Sequence, residues 1–493
     1  MRGIWQLARQ SLTLDSRKLG QHAIRFGLVA VLYLAVWHAS REQWRSSIGL
    51  SLFNAQLLIT VFFLSVTAIF GFSQAITEEK EEDRLGLIRL ADISPLAIIL
   101  GKMAGLICES ALLIGLQFPF TIIAITLGGV SWPQVTAAYA ALASFLWLLA
   151  CVGMLASVIQ PTGGTAARLT AILVSVYTLP PLIPAGYLTG NISLYVLYQP
   201  VSLPLRLREV TESDFTGSPW CAAVTVGLVG GLICLVVSWR LLDSLAMADR
   251  PPERRFVTAI NRQISRRAWS RPMAWRDYLF LTGGYPWTVA RIVAQVVICV
   301  VMLVYFKQRQ LGFAFAWSAI GSGLLGILDG TWSASRLFRD EVRHRTWSAL
   351  VQTPRSIAQV SLEKCVGWFL GLLPSIVAPF LFIGLMLIFH EHVTDLRSRL
   401  EVIMGTATIG TSVFGYLHLL VLLSLYFGWK ATPMTLTICF GAAWLYVVTV
   451  FRYGFDFEAR IVVFGITLVL ICGVMVVLQQ LILQRLERLA ETA

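Results

Sequence analysis

Apolar runs long enough to cross a bilayer constrain this chain more than any other feature. About 20 apolar residues in a helix span roughly 30 Å of hydrocarbon, and about twelve such runs can be marked out. They lie near residues 23–40, 50–73, 96–127, 134–160, 166–189, 219–243, 287–306, 312–334, 362–389, 403–428, 433–451 and 460–484. The run at 96–127 exceeds one span, so tilt, a break at Gln117-Phe118-Pro119 or an extension into water is expected. With 57% hydrophobic and 13% charged residues, and no barrel-like alternation, the expected fold is an all-α polytopic membrane protein.

An even number of spans returns both termini to one side. Counted with adjoining helix ends, that side carries about 29 of the 39 Lys and Arg, against about 10 on the other, so both termini are expected to be cytoplasmic. The net charge of +12 is accounted for by topogenic basic residues and anionic lipid heads, and no nucleic-acid partner is expected. No CxxC occurs among the eight cysteines, which speaks against a zinc site or disulfide framework. The N-terminal stretch lacks the apolar core of a cleavable signal and reads instead as an amphipathic helix lying on the membrane face.

The chain also resembles itself at an offset of 262 residues. Glu79 then overlies Glu341, Ser94 overlies Ser356, Lys102 overlies Lys364 and Gly105 overlies Gly367. Asp15 overlies Asp277 in a second amphipathic segment. The surrounding order repeats in the same register: amphipathic segment, two spans, a charged stretch, then a long third span and three more. Six spans per half give two parallel repeats. The expected domains are residues 1–247, a basic linker with the start of a second elbow helix at 248–277, and residues 278–493.

The charged stretches carry a further pattern. An acidic residue, a leucine, a Ser-Pro or Pro-x-Ser turn and a lysine opening the third span occur as Glu79, Leu90, Ser94-Pro95 and Lys102, and again as Glu341, Leu350, Pro354-Arg355-Ser356 and Lys364. In this the chain resembles the ABC-2 type permeases, the type V membrane subunits of ATP-binding-cassette exporters. The resemblance implies an elbow helix and a cytoplasmic coupling helix in each half. It assigns the coupling role to Glu78, Glu79, Arg84, Ser94, Pro95 and Lys102 in the first copy, and to Glu341, Arg345, Pro354, Ser356 and Lys364 in the second. It implies a partner ATPase subunit in two copies, and an inner membrane as the location. Glu81, Glu82 and Asp83 face Arg343, His344 and Arg345, so they read as belonging to one docking face only.

No G-x-x-x-x-G-K-[ST] occurs, so no cofactor is expected on this chain and ATP-Mg is expected on the partner. No nucleophile and base at meaningful spacing point to an enzyme. Intramembrane Glu109, Asp329 and His418 are the candidates for a substrate path, since ionisable groups in hydrocarbon are costly. For Asp329 a structural bond to Arg336 or Arg339 is the plainer reading, and for His418 a satisfied interior imidazole. His390, Glu391, His392 and Asp395 are metal-ligand types without a helical H-E-x-x-H frame. An ion-coupled secondary transporter and a non-transporting membrane scaffold are the alternatives.

Overall fold

The computed structural model describes residues 19–39, 48–81, 93–178, 199–212, 215–247, 269–306, 311–343, 345–389, 395–427, 431–452 and 457–491. Among these, no strand occurs. The chain divides into two compact units, Met1–Pro251 with Phe440–Leu445, and Pro252–Cys439 with Tyr446–Ala493.

In the first unit the helices are α1 (Leu19–Ala39), α2 (Ile48–Phe70), α3 (Thr77–Glu81), α4 (Pro95–Leu116), α5 (Phe118–Thr126), α6 (Trp132–Ile159), α7 (Gly163–Thr178), α8 (Leu203–Val210) and α9 (Ala222–Met247). Serines start several of them. Ser94 accepts from the Ala97 amide ahead of Pro95 at the first turn of α4, and Ser131 exchanges bonds with Gln134 to open α6. The long third run is broken at Gln117, with Pro119 in the first turn of α5. At that break Gln56, Thr60, Gln117 and Thr121, all fully buried, bond to one another, which pairs Gln56 Nε2, Gln117 Oε1 and both threonine hydroxyls where lipid offers no partner. Phe53, Phe63, Phe72 and Phe145 fill the apolar interior.

The second unit holds α10 (Pro272–Phe280), α11 (Gly284–Phe306), α12 (Leu311–Arg336), α13 (Arg339–Arg343), α14 (Trp347–Val351), α15 (Ile357–Phe389), α16 (Leu396–Phe427), α17 (Ala431–Arg452) apart from its middle residues Phe440–Leu445, and α18 (Phe457–Glu491). Its core is built on Phe338, Trp347, Leu372 and Leu420. A capping box opens α15: the Gln359 amide donates to Ser356 Oγ, and the Ser356 amide to Gln359 Oε1.

Nine helices among the described residues are long and apolar enough to cross a membrane. Of the other three expected spans, 23–40 and 433–451 fall on the shorter apolar stretches Ile24–Trp37 and Ala431–Ala443, and 166–189 on the 16-residue α7. Large apolar side chains point outward along whole helices, as Ile292, Val293, Val296, Val300 and Val304 do on α11. A continuous apolar face of that length is untenable in water, and with the nine helices it marks an all-α, multi-pass membrane protein.

The expected N-terminal amphipathic helix, most of the basic linker, Arg84, Glu82, Asp83 and the residues 390–394 lie outside the described residues. Among the described residues no group of three or more His, Cys, Asp or Glu gathers as a metal site.

Candidate functional site

In each unit the described residues of the charged stretch between the second and third expected spans are tied to neighbouring helices. In the first, α3 follows α2 after a single 3-10 turn, Phe72–Gln74. The amides of Ile76 and Thr77 donate to Ser157 Oγ at 2.8 and 3.0 Å. Lys80 Nζ donates to the carbonyls of Ser157 and Gln160, at 3.0 and 3.1 Å, and also to that of Val158. These are carbonyls at the end of α6, where a helix presents its negative pole. The neighbouring Glu81 accepts from the Gly163 amide at 2.8 Å, at the positive start of α7. One cation and one anion, adjacent in sequence, thus clamp two successive helix ends.

Glu81 was expected to belong to one docking face. Its carboxylate is engaged within the unit. Glu79 likewise turns inward: it is 8% exposed and receives Lys102 Nζ from the second turn of α4 at 2.5 Å. Glu78 is exposed, as is Ser94, while Pro95 is half-buried.

The second corner repeats the tie with more charge around it. Lys364 on α15, 2% exposed, makes ion pairs with Asp277 at 2.8 Å and with Glu341 at 3.4 Å. Arg276 pairs with both acids, at 3.0 Å to Asp277 and closely to Glu341. Three elements meet here: α10, α13 and the start of α15. Burial would lower the Arg276 guanidinium, but the charges and hydrogen bonds of Asp277 and Glu341 hold it above its ordinary range. The backbones are also close, for a Cβ on Gly367 would sit 2.1 Å from the Ala274 carbonyl oxygen. Gly367→Ala is therefore expected to push α10 off α15, at a cost of about 1–3 kcal/mol. A fall in the melting temperature of the purified chain in detergent checks this, and an unchanged value would contradict it.

Arg345 closes α13. The Thr346 amide bonds the Glu341 carbonyl at 2.9 Å and the Arg345 amide bonds the Val342 carbonyl at 3.3 Å, the paired bonds of a Schellman motif. Arg345 stands at the position that favours glycine, with φ of 55°. Left-handed backbone costs a non-glycine residue roughly 1–2 kcal/mol, so Arg345→Gly is expected to stabilise by about 1 kcal/mol after glycine's own entropy loss. A raised melting temperature, absent in Arg345→Ala, is the readout. The Arg345 side chain is exposed, as are Pro354 and Ser356. Arg355, between them, pairs with Glu363. Trp347 donates to the Leu486 carbonyl at 3.3 Å, tying α14 to α18.

The three candidates for a substrate path have different surroundings. Glu109 is buried on α4 of the first unit. Asp329, on α12, pairs with Arg291 of α11 at 2.5 Å, and Arg291 also donates to the Gly371 carbonyl at 3.1 Å. The expected partners engage a different acid: Arg336 reaches Asp340 at 2.7 Å and Arg339 reaches it at 3.3 Å. His418 holds the Phe414 carbonyl at 2.8 Å through Nδ1 and lines a cavity of about 330 Å³ in the second unit, which Asp329 does not. Sequence reading passed over Lys80, Ser157, Arg276 and Arg291. For Lys80 the signal was present, as a basic residue among acids, but its acceptors lie 77 to 80 residues away.

Together these features define a class, a helical multi-pass membrane protein with charged, intramolecularly tied corners. Compared with known proteins, the chain matches no family model and no curated relative.

Proposed function

We propose that this chain is the membrane permease of an ATP-binding-cassette transporter, an exporter of the ABC-2 type, driven by a separate ATPase subunit present in two copies. In this reading the helices form two parallel six-span halves in the cytoplasmic membrane, with both termini and both charged corners in the cytoplasm, against lipid and without nucleic acid. The elbow helix of the second half is α10, and the coupling elements are α3 in one half and α13–α14 in the other.

One observation supports the reading above the rest. Glu79 with Lys102 and Glu341 with Lys364 are pairs of the same spacing, 23 residues, at positions related by the 262-residue repeat. Each ties a short helix after the second span to the start of the third, and a serine at the same register, Ser94 or Ser356, caps that third helix in both. A corner so fixed moves with the span it opens. A push on the short helix then travels into the bundle as a rigid displacement, which is what energy coupling from a cytoplasmic motor needs. The inward acids serve the tie, and the outward Glu78 and Arg345 are left to meet the ATPase.

The test is purification of the tagged full chain from its native membrane. We expect a polypeptide with a phosphate-binding G-x-x-x-x-G-K-[ST] loop to copurify in stoichiometric amount. The combined reversal Glu78→Lys and Arg345→Glu is expected to weaken that association at least tenfold without lowering the melting temperature. Retention of the ATPase by a chain in which both corners are replaced by neutral linkers would contradict the proposal.

A further inference from the structure

The cavity of about 330 Å³ in the second unit is walled by α15, α16, α18 and the residues joining α12 to α13. Phe338, Cys365, Trp368 and Phe414 supply apolar wall, and His418 and Gln479 supply polar atoms. Its size lies at the small end of ligand pockets, roughly 300–1,000 Å³, enough for one hydrocarbon chain and too little for two of phospholipid length. His418 lies nine residues before the end of α16 at Phe427, about 13 Å along the helix and so within the apolar layer.

The imidazole sets the chemistry of the guest. A carbonyl oxygen only accepts, so the 2.8 Å contact with Phe414 places a proton on Nδ1, and in the tautomer that carries this proton alone Nε2 is an acceptor. In hydrocarbon that lone pair has no water to turn to, and a partner that donates a proton to it gains most of a hydrogen bond. The Trp368 indole N–H already donates to Ser333 Oγ at 2.8 Å, so this ring offers the cavity its apolar surface. A slim apolar molecule with one hydroxyl matches this apolar wall and this acceptor.

We propose that this cavity binds a single-chain amphiphile from the bilayer, its hydroxyl donating to Nε2 of His418 and its chain lying against Phe338, Trp368 and Phe414. This site stands apart from the ATPase reading and can be tested without it. It also adjoins the second corner, since Phe338 directly precedes α13 and Cys365 directly follows Lys364.

Trp368 gives the readout. The full chain in lipid nanodiscs is titrated with 12-bromododecan-1-ol, 1-bromododecane and the methyl ether of the alcohol, whose bromine quenches nearby indoles. The difference between wild type and Trp368→Phe isolates Trp368 from the other fifteen of the chain's 16 tryptophans. Saturable quenching by the alcohol is expected at a mole fraction at least tenfold below that of the alkane and the ether. His418→Leu is expected to bring the three probes within twofold, and His418→Gln, which keeps an acceptor, to retain the preference. Equal quenching by alcohol and ether in the wild type, quenching that only tracks total bilayer bromine, or an alcohol preference surviving in His418→Leu would overturn the proposal. The ether comparison needs no mutation, so it decides even if a His418 variant fails to fold.

Discussion

Lys364→Met is expected to destabilise the second unit by about 3 kcal/mol, because it strands two acids away from water. Lys364 is 2% exposed, Asp277 5% and Glu341 14%, so solvent can do little to replace the lost cation. Arg276 remains beside both acids, which keeps the loss at the lower end of the roughly 3–5 kcal/mol seen when one partner of a buried pair is removed. The same change at the first corner, Lys102→Met, is expected to cost less, since Lys102 is 27% exposed and its carboxylate partner can be partly rehydrated. Melting temperatures of the two variants in detergent check the order. A Lys102 variant that melts lower than the Lys364 variant would contradict it.

The second large effect is expected at Arg291. Its guanidinium bridges Asp329 and the Gly371 carbonyl, joining α11, α12 and α15 at a point where two of the three groups are side chains in an apolar layer. Arg291→Leu is expected to cost about 3 kcal/mol by leaving Asp329 charged and poorly solvated. Arg291→Leu with Asp329→Leu is expected to recover most of that loss, because the pair's worth lies largely in each ion neutralising the other. A double variant as unstable as the single one would assign Asp329 a role beyond this bond, such as contact with a transported group.

The membrane-embedded, all-helical character was legible in the sequence because bilayer thickness imposes a length on apolar runs. The interruption at Gln117 was one of three outcomes the sequence left open for a run longer than one span, beside tilt and an extension into water. The 262-residue register picked out Glu79, Lys102, Glu341 and Lys364, and the structure brings each glutamate to its lysine. What the register did not carry is direction. Glu78 and Glu79 are neighbours of one type, yet one is exposed and one buried, and a short helix of five residues shows no periodicity from which to tell them apart. The bond of Glu81 was not legible for a related reason: its partner is the backbone amide of Gly163, and backbone donors leave no mark in composition. Asp329 pairs with Arg291, 38 residues earlier and on another helix, while nearer arginines on its own side of the chain drew attention first. The cavity beside His418 arises from the meeting of three helices and was not legible at all.

The central claim is that the two charged corners receive an ATPase. A photoreactive amino acid placed at position 78 or position 345 in the full chain, irradiated in native membranes, tests it most directly. The account predicts that both positions crosslink to one polypeptide, identified by peptide mass spectrometry as carrying a G-x-x-x-x-G-K-[ST] loop, and that the same reagent at Trp220 or Leu396 does not. Crosslinks to that polypeptide at positions 220 and 396 as readily as at 78 and 345, or no such crosslink at either corner, would contradict it.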